Sequence, residues 1–173
     1  MALISGGTTV ISSGGIDIEV GGGKLLQVVQ STKTNAVSYS LQTGSLSTLW
    51  SQSITPSATS SKILIKYTVY FGLTQNTAIP YTILRRGSTD IFKGDSNGNR
   101  QRVTACSGYQ GSPQAHQISQ CEYLDSPSTT SAVTYNIMTG GFGGRTYYLN
   151  MNYEDSGAYI TTGSSFTLME IGT

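Results

Sequence analysis

The sequence predicts an all-β protein, an antiparallel β-sandwich or jelly roll with an extended N-terminal arm. Short runs rich in Val, Ile, Thr and Tyr recur along the chain, separated by clusters of Gly, Asn, Asp and Ser, the pattern of strands joined by tight turns. No segment of eleven or more residues places apolar side chains at i, i+3, i+4 and i+7, so helical periodicity is missing. Only 11% of the 173 residues are charged, while 21 are Gly and 11 are Tyr, against about 25% charged in an ordinary soluble domain.

The elements follow in order. In residues 1–23, Gly6-Gly7, Gly14-Gly15 and Gly21-Gly22-Gly23 punctuate two short apolar pieces. In the second, Ile16, Ile18 and Val20 alternate with Asp17 and Glu19. A piece that short cannot bury its own apolar face, so it must pair with something; residues 1–23 read as an arm and residues 24–173 as the sandwich. Strand candidates in the body are Leu25–Gln30, Ala36–Leu41, Thr48–Ile54, Lys62–Phe71, Pro80–Arg85, Asp90–Phe92, Val133–Met138, Thr146–Met151 and Phe166–Ile171. The clearest is Lys62–Phe71, with Ile63, Ile65, Tyr67, Val69 and Phe71 on one face and Lys62, Lys66 and Thr68 on the other. Residues 94–124 are the least regular stretch and read as a long loop, functional or mobile, with room for edge strands that no pattern picks out. Gly140-Gly141-Phe142-Gly143-Gly144 reads as a turn, since no phosphate-loop Lys and no helix pattern follows it.

Several function classes find little support. A net charge of +1 with scattered basic residues offers no footprint for nucleic acid, and no apolar run reaches membrane-span length. His116 is the single histidine; Asp95 or Asp125 would have to orient it in a triad, and no G-x-S-x-G elbow is present, so the chain does not read as an enzyme. Asp95-Ser96-Asn97-Gly98-Asn99 starts like a calcium loop, but its sixth position is Arg100 and its twelfth Cys106, neither of which suits calcium. Zinc would need more ligands than Cys106, Cys121 and one histidine provide. No metal and no cofactor is expected. The two cysteines either form one bridge across the irregular loop, adding ~3 kcal/mol by loop-entropy arithmetic, or remain free thiols, as the lack of an export signal favours. Arg85-Arg86 reads as an exposed structural pair, and Trp50 and most tyrosines as sheet packing.

Several segments resemble a family of tailed-bacteriophage virion proteins, common in phages of aquatic bacteria including cyanobacteria. They are Gly23-Lys24-Leu25-Leu26-Gln27-Val28-Val29-Gln30, Ile54-Thr55-Pro56-Ser57-Ala58-Thr59-Ser60-Ser61-Lys62-Ile63-Leu64-Ile65, Leu84-Arg85-Arg86-Gly87-Ser88-Thr89, Tyr123-Leu124-Asp125-Ser126-Pro127 and Phe166-Thr167-Leu168-Met169-Glu170-Ile171-Gly172. The resemblance implies a β-sandwich that assembles as a homotrimer on the virion, found both on heads and at the ends of tail fibres. Only about 23 residues precede the body, with no shaft repeat, which favours a capsid decoration or cement protein whose partner is the major capsid protein. Ile4, Val10, Ile11, Ile16, Ile18 and Val20 would then form the buried face of the arm, each contributing roughly 1.5–3 kcal/mol when fully covered. The alternative is a tail-fibre or tail-tip module that recognises a host surface glycan through Tyr109, Gln114 and His116 of the 94–124 loop.

Overall fold

A computed structural model describes residues 4–5, 8–9, 23–41, 44–73, 79–107, 116–141, 145–152 and 160–172. Among these residues there is no helix, and every sheet is antiparallel. Two short strands, β1 (Ile4–Ser5) and β2 (Thr8–Thr9), pair with each other. The body follows as β3 (Lys24–Lys33), β4 (Val37–Leu41), β5 (Ser47–Ile54), β6 (Lys62–Leu73), β7 (Pro80–Arg86), β8 (Thr89–Phe92), β9 (Ala105–Cys106), β10 (Gln117–Asp125), β11 (Val133–Gly141), β12 (Arg145–Leu149) and β13 (Ser164–Gly172).

The body forms two layers. In sheet one, β6 pairs along one side with β10 and along the other with β13 and then β12. β13 pairs with β3, and β12 with β4. The sheet is thus four rungs wide: β3 and β4, β13 and β12, β6, and β10. Sheet two has β11 between β5 and β7, with β8 and β9 end to end on the far side of β7. Consecutive rungs alternate between the sheets except at the β7–β8 hairpin, which is jelly-roll connectivity.

Alternation along each strand builds the core. From sheet one, Ile63, Ile65, Tyr67, Val69, Phe71, Phe166 and Leu168 face inward; from sheet two come Trp50, Ile54, Leu84, Tyr135 and Ile137. Trp50 meets Phe166 edge-on with ring centroids 5.9 Å apart, a favourable aromatic geometry. A bulge opposite Ile137/Met138 lets both Leu49 and Trp50 point inward. Gly140 and Gly141, expected in a turn, instead end β11, where a Cβ would overlap the rings of Tyr81 and Tyr147 respectively. They are glycines because the phenol ends of those rings fill the space a side chain would take.

The rung made of β12 and β13 is interrupted by residues 150–163, and Asn150 closes the gap. It is fully buried with φ +60°, a left-handed conformation that Asn tolerates better than most residues. Its amide nitrogen donates to the carbonyls of Lys33 (2.8 Å) and Asn35 (3.2 Å), and its Oδ1 accepts from Ser164 Oγ at 2.6 Å. The expected strand Thr146–Met151 therefore ends two residues early, at Leu149.

The largest difference from the sequence reading is β10. Residues 94–124 do not form one loop: nine residues from Gln117 pair with β6 in unbroken register. The reason lies in an inverted pattern. Polar or small Gln117, Ser119 and Cys121 face inward and are buried, while Ile118 and Leu124 face out, 49% and 46% exposed. Ser119 survives inside because its hydroxyl pairs with Thr82 (2.8 Å), which pairs with Tyr67 OH (2.7 Å).

Candidate interaction face

Register assigns the outward side chains of sheet one, because directly paired residues share a face. Val28 opposes Met169, Met169 opposes Leu64, and Leu64 opposes Leu124. These four residues make one apolar row across all four rungs. Leu25 and Ile171 extend it toward the start of β3, beside Leu26 at a bulge. Leu25, Leu26, Val28 and Leu124 are each between 43% and 53% exposed. They are four of the seven large apolar side chains exposed among the described residues, a contiguity that marks an interaction surface.

The next row is polar. Gln30 opposes Thr167, Thr167 opposes Lys66, and Lys66 opposes Glu122. The Lys66–Glu122 pair spans 3.0 Å with both side chains more than half exposed, leaving the row without net charge. Here the sheet carries a depression of about 610 Å³ lined by Gln30, Lys66, Thr68, Gln120, Glu122 and Thr167. Beyond it the chain crosses Gly72, where a Cβ would collide with the Met151 carbonyl.

A buried carboxylate anchors the Leu25 end of this face. Glu170, 1% exposed, accepts from Ser57 N (2.7 Å), Ser57 Oγ (2.6 Å) and Gln27 Nε2 (2.6 Å). Burial alone would raise its pKa, but the donors from Ser57 and Gln27 outweigh burial and hold it down to about 2. The carboxylate ties β3, β13 and the turn after β5 together without any cation.

The residues singled out for catalysis do not converge. His116 Nε2 contacts Asn152 Oδ1 and the Ile160 carbonyl at 3.0 Å, so the histidine bridges two segments and is half-buried. Asp125 lies at the other end of β10, nine residues and roughly 30 Å of strand away. There it accepts two bonds from Arg86 Nη1 (3.0 and 2.9 Å) and one from Tyr135 OH (2.7 Å). Arg85 binds Asp90 at 2.6 Å, so the basic pair expected to be exposed is engaged on both sides. Asn97, from the calcium-like run, is held by Arg100 Nη1 at 2.9 Å. Cys106 and Cys121 are unbridged. Burial and the neighbouring Glu122 charge push the Cys121 thiol up to about 12, which disfavours its thiolate.

Of the expected contact residues, Val10, Ile11, Ile16, Ile18, Val20, Tyr109 and Gln114 lie outside the described residues, and Ile4 lies in β1. The expected set omits the outward row of sheet one, although its signal is legible. Leu25-Leu26, Val28-Val29, Leu64-Ile65 and Leu168-Met169 are apolar doublets in strands, and a strand apolar on both faces asks to be covered on both. No protein-family model matches the chain, and no curated protein matches it.

Proposed function

We propose that the chain is a structural protein of a tailed-bacteriophage virion, a homotrimeric capsid decoration or cement protein that binds the major capsid protein through its N-terminal arm. The observation that carries this reading is the apolar row across sheet one, at the corner where residues 1–22 join the body. A trimer buries such a row, and the arm emerges beside it, ready to add a strand to a neighbouring shell subunit through main-chain hydrogen bonds. Three arms per assembly add avidity. The all-β sandwich implied by the resemblance to virion proteins supports the same reading.

Quantitative mass spectrometry of virions carrying the protein tests it. Copy number of the same order as the shell protein is expected. A few per cent of that number or less contradicts a decoration role. Deleting residues 1–20 leaves a folded trimer that no longer sediments with shells; a truncated protein that still decorates them counts equally against the arm.

A second reading, a tail-tip module binding a host glycan, draws on the depression beside Lys66 and Glu122. Its amide and hydroxyl lining without net charge suits a neutral sugar. Binding of the purified protein on a glycan panel, lost in Gln120→Ala, is the expected result for that reading.

A further inference from the structure

We propose that Asn97 is a site of self-modification: its side-chain amide condenses with the backbone nitrogen of Gly98, and Arg100 promotes the reaction and receives its product. The site lies on the loop between β8 and β9, in the run that starts like a calcium loop. Asn97 is the one asparagine of the chain followed by glycine, so no neighbouring side chain hinders approach to that nitrogen. Asn97, Gly98 and Asn99 are all exposed, and a Cβ built on Gly98 would meet nothing within 4 Å. Arg100 N donates to the Asn97 carbonyl at 3.3 Å. Gly98 has φ +58° and Asn99 is not in the positive-φ region, the form of a type II′ turn. That turn leaves the Gly98 N–H without a protein acceptor among the described residues.

The step balances with water as the only co-reactant. The Gly98 nitrogen loses its proton and bonds to Asn97 Cγ. The Cγ–Nδ2 bond breaks, and ammonia leaves with the proton, closing a cyclic imide. Water then opens the ring at either carbonyl. Breaking the bond from nitrogen to Cγ restores the backbone and leaves aspartate; breaking the bond from nitrogen to the main-chain carbon routes the chain through Cγ and leaves isoaspartate. Arg100 stands at both ends of this path. Its Nη1 donates to Asn97 Oδ1 at 2.9 Å, the oxygen that gathers negative charge as nitrogen adds to Cγ, and a positioned donor stabilises such an oxyanion. Arg100 pairs with no carboxylate among the described residues, so the new carboxylate at 97 finds a cation in place. The loop is tied at its base, Gly94 N to the Val103 carbonyl (3.1 Å) and Arg102 Nε to the Gly94 carbonyl (2.7 Å), so the tip absorbs the altered backbone and the sandwich keeps its packing. Each event adds one negative charge and takes the formal net charge from +1 to zero.

Incubating the full-length protein at mildly alkaline pH, with residue 97 followed by peptide fragmentation, tests this. Asn97 is expected to gain about 1 Da as a mixture of aspartate and isoaspartate, at a rate that climbs with pH because the Gly98 nitrogen must lose its proton. An acidic shift on isoelectric focusing and an unchanged melting temperature are expected alongside. Asn99, exposed on the same tip but followed by Arg100, and Asn136, within β11, are expected to stay intact. Arg100→Ala is expected to slow the conversion about threefold, the effect of losing one exposed hydrogen bond from a charged donor, with Arg100→Lys in between. An Asn97 that stays intact overturns the site, and a free peptide of residues 94–104 that converts in parallel shows that the conditions sufficed. Conversion of Asn99 as fast as Asn97 overturns the selection by the turn. An Arg100→Ala variant that converts as fast as the wild type, or faster, overturns the role given to Arg100.

Discussion

The two outer faces of the sandwich are built from the same kinds of strand and finished in opposite ways. On sheet two, the β5 end is polar and satisfied: Ser51 Oγ donates to Asn136 Oδ1 (2.6 Å), Ser53 pairs with Thr134 (2.8 Å), and Asn136 Nδ2 donates to the Gly87 carbonyl (2.8 Å). Its apolar part, around Tyr81, Ile83 and Met138, lies under Leu46 and Val103 of the chain's own loops. On sheet one no described residue gives such cover to the row from Val28 to Leu124. Both faces obey the same rule, that apolar area leaves water wherever it can. One does so within the molecule, whereas on the other the described residues leave the row in water.

Five changes sharpen this contrast. The largest stability effect is expected at the end of the sandwich, where no partner is needed. Arg86→Ala strips the buried Asp125 of its cation and costs about 3 kcal/mol in denaturant melts, whereas Arg85→Ala, on the outer face with its partner Asp90, costs under ~1 kcal/mol. Equal effects would show that Tyr135 alone satisfies Asp125. Next comes Gly72→Ala, which drives a methyl group into the Met151 carbonyl on the sheet-one face. It is expected to lower stability by about 1–3 kcal/mol and to loosen residues 150–163, measurable as faster amide exchange at Thr162.

Glu170→Gln is expected to cost about 1–2 kcal/mol at pH 7, because an amide cannot accept from Ser57 and Gln27 together. The pH dependence carries the sign. Glu170 is held below its ordinary value of 4.5, at about 2, so its contribution is complete above pH 4.5 and is lost as pH falls toward 2. The wild-type melting temperature should therefore drop across that interval more steeply than that of the variant; parallel curves would remove Glu170 from the acid response. The smallest effect belongs to the polar face. Thr134→Asp should change stability by no more than ~0.5 kcal/mol and leave sedimentation unaltered, in contrast to the same charge placed at Val28.

Much of the sandwich was legible in the chain. Lys62–Phe71 became β6 with its expected faces, because Ile63, Ile65, Tyr67, Val69 and Phe71 recur at every second position. β10 was not legible, since its inward positions include Gln117, Ser119 and Cys121, and Ser119 is satisfied only by the hydroxyls of Thr82 and Tyr67 on other strands. Asn150 and Gly141 carried no local signal either, as their roles exist only where distant strands meet. The apolar row was half legible: the doublets were visible, but their alignment across four rungs is a property of register. The arm residues from Val10 to Val20, with Tyr109 and Gln114, lie outside the described residues, and the apolar row now stands beside them as the surface to test.

The most direct measurement is the molar mass of the full-length protein by light scattering across a concentration series, with Val28→Asp run alongside. Three chains for the wild type and one for the variant are expected. A wild-type mass of one chain at every concentration, or a variant indistinguishable from it, would contradict the claim that the outer face of sheet one is where copies of this protein meet.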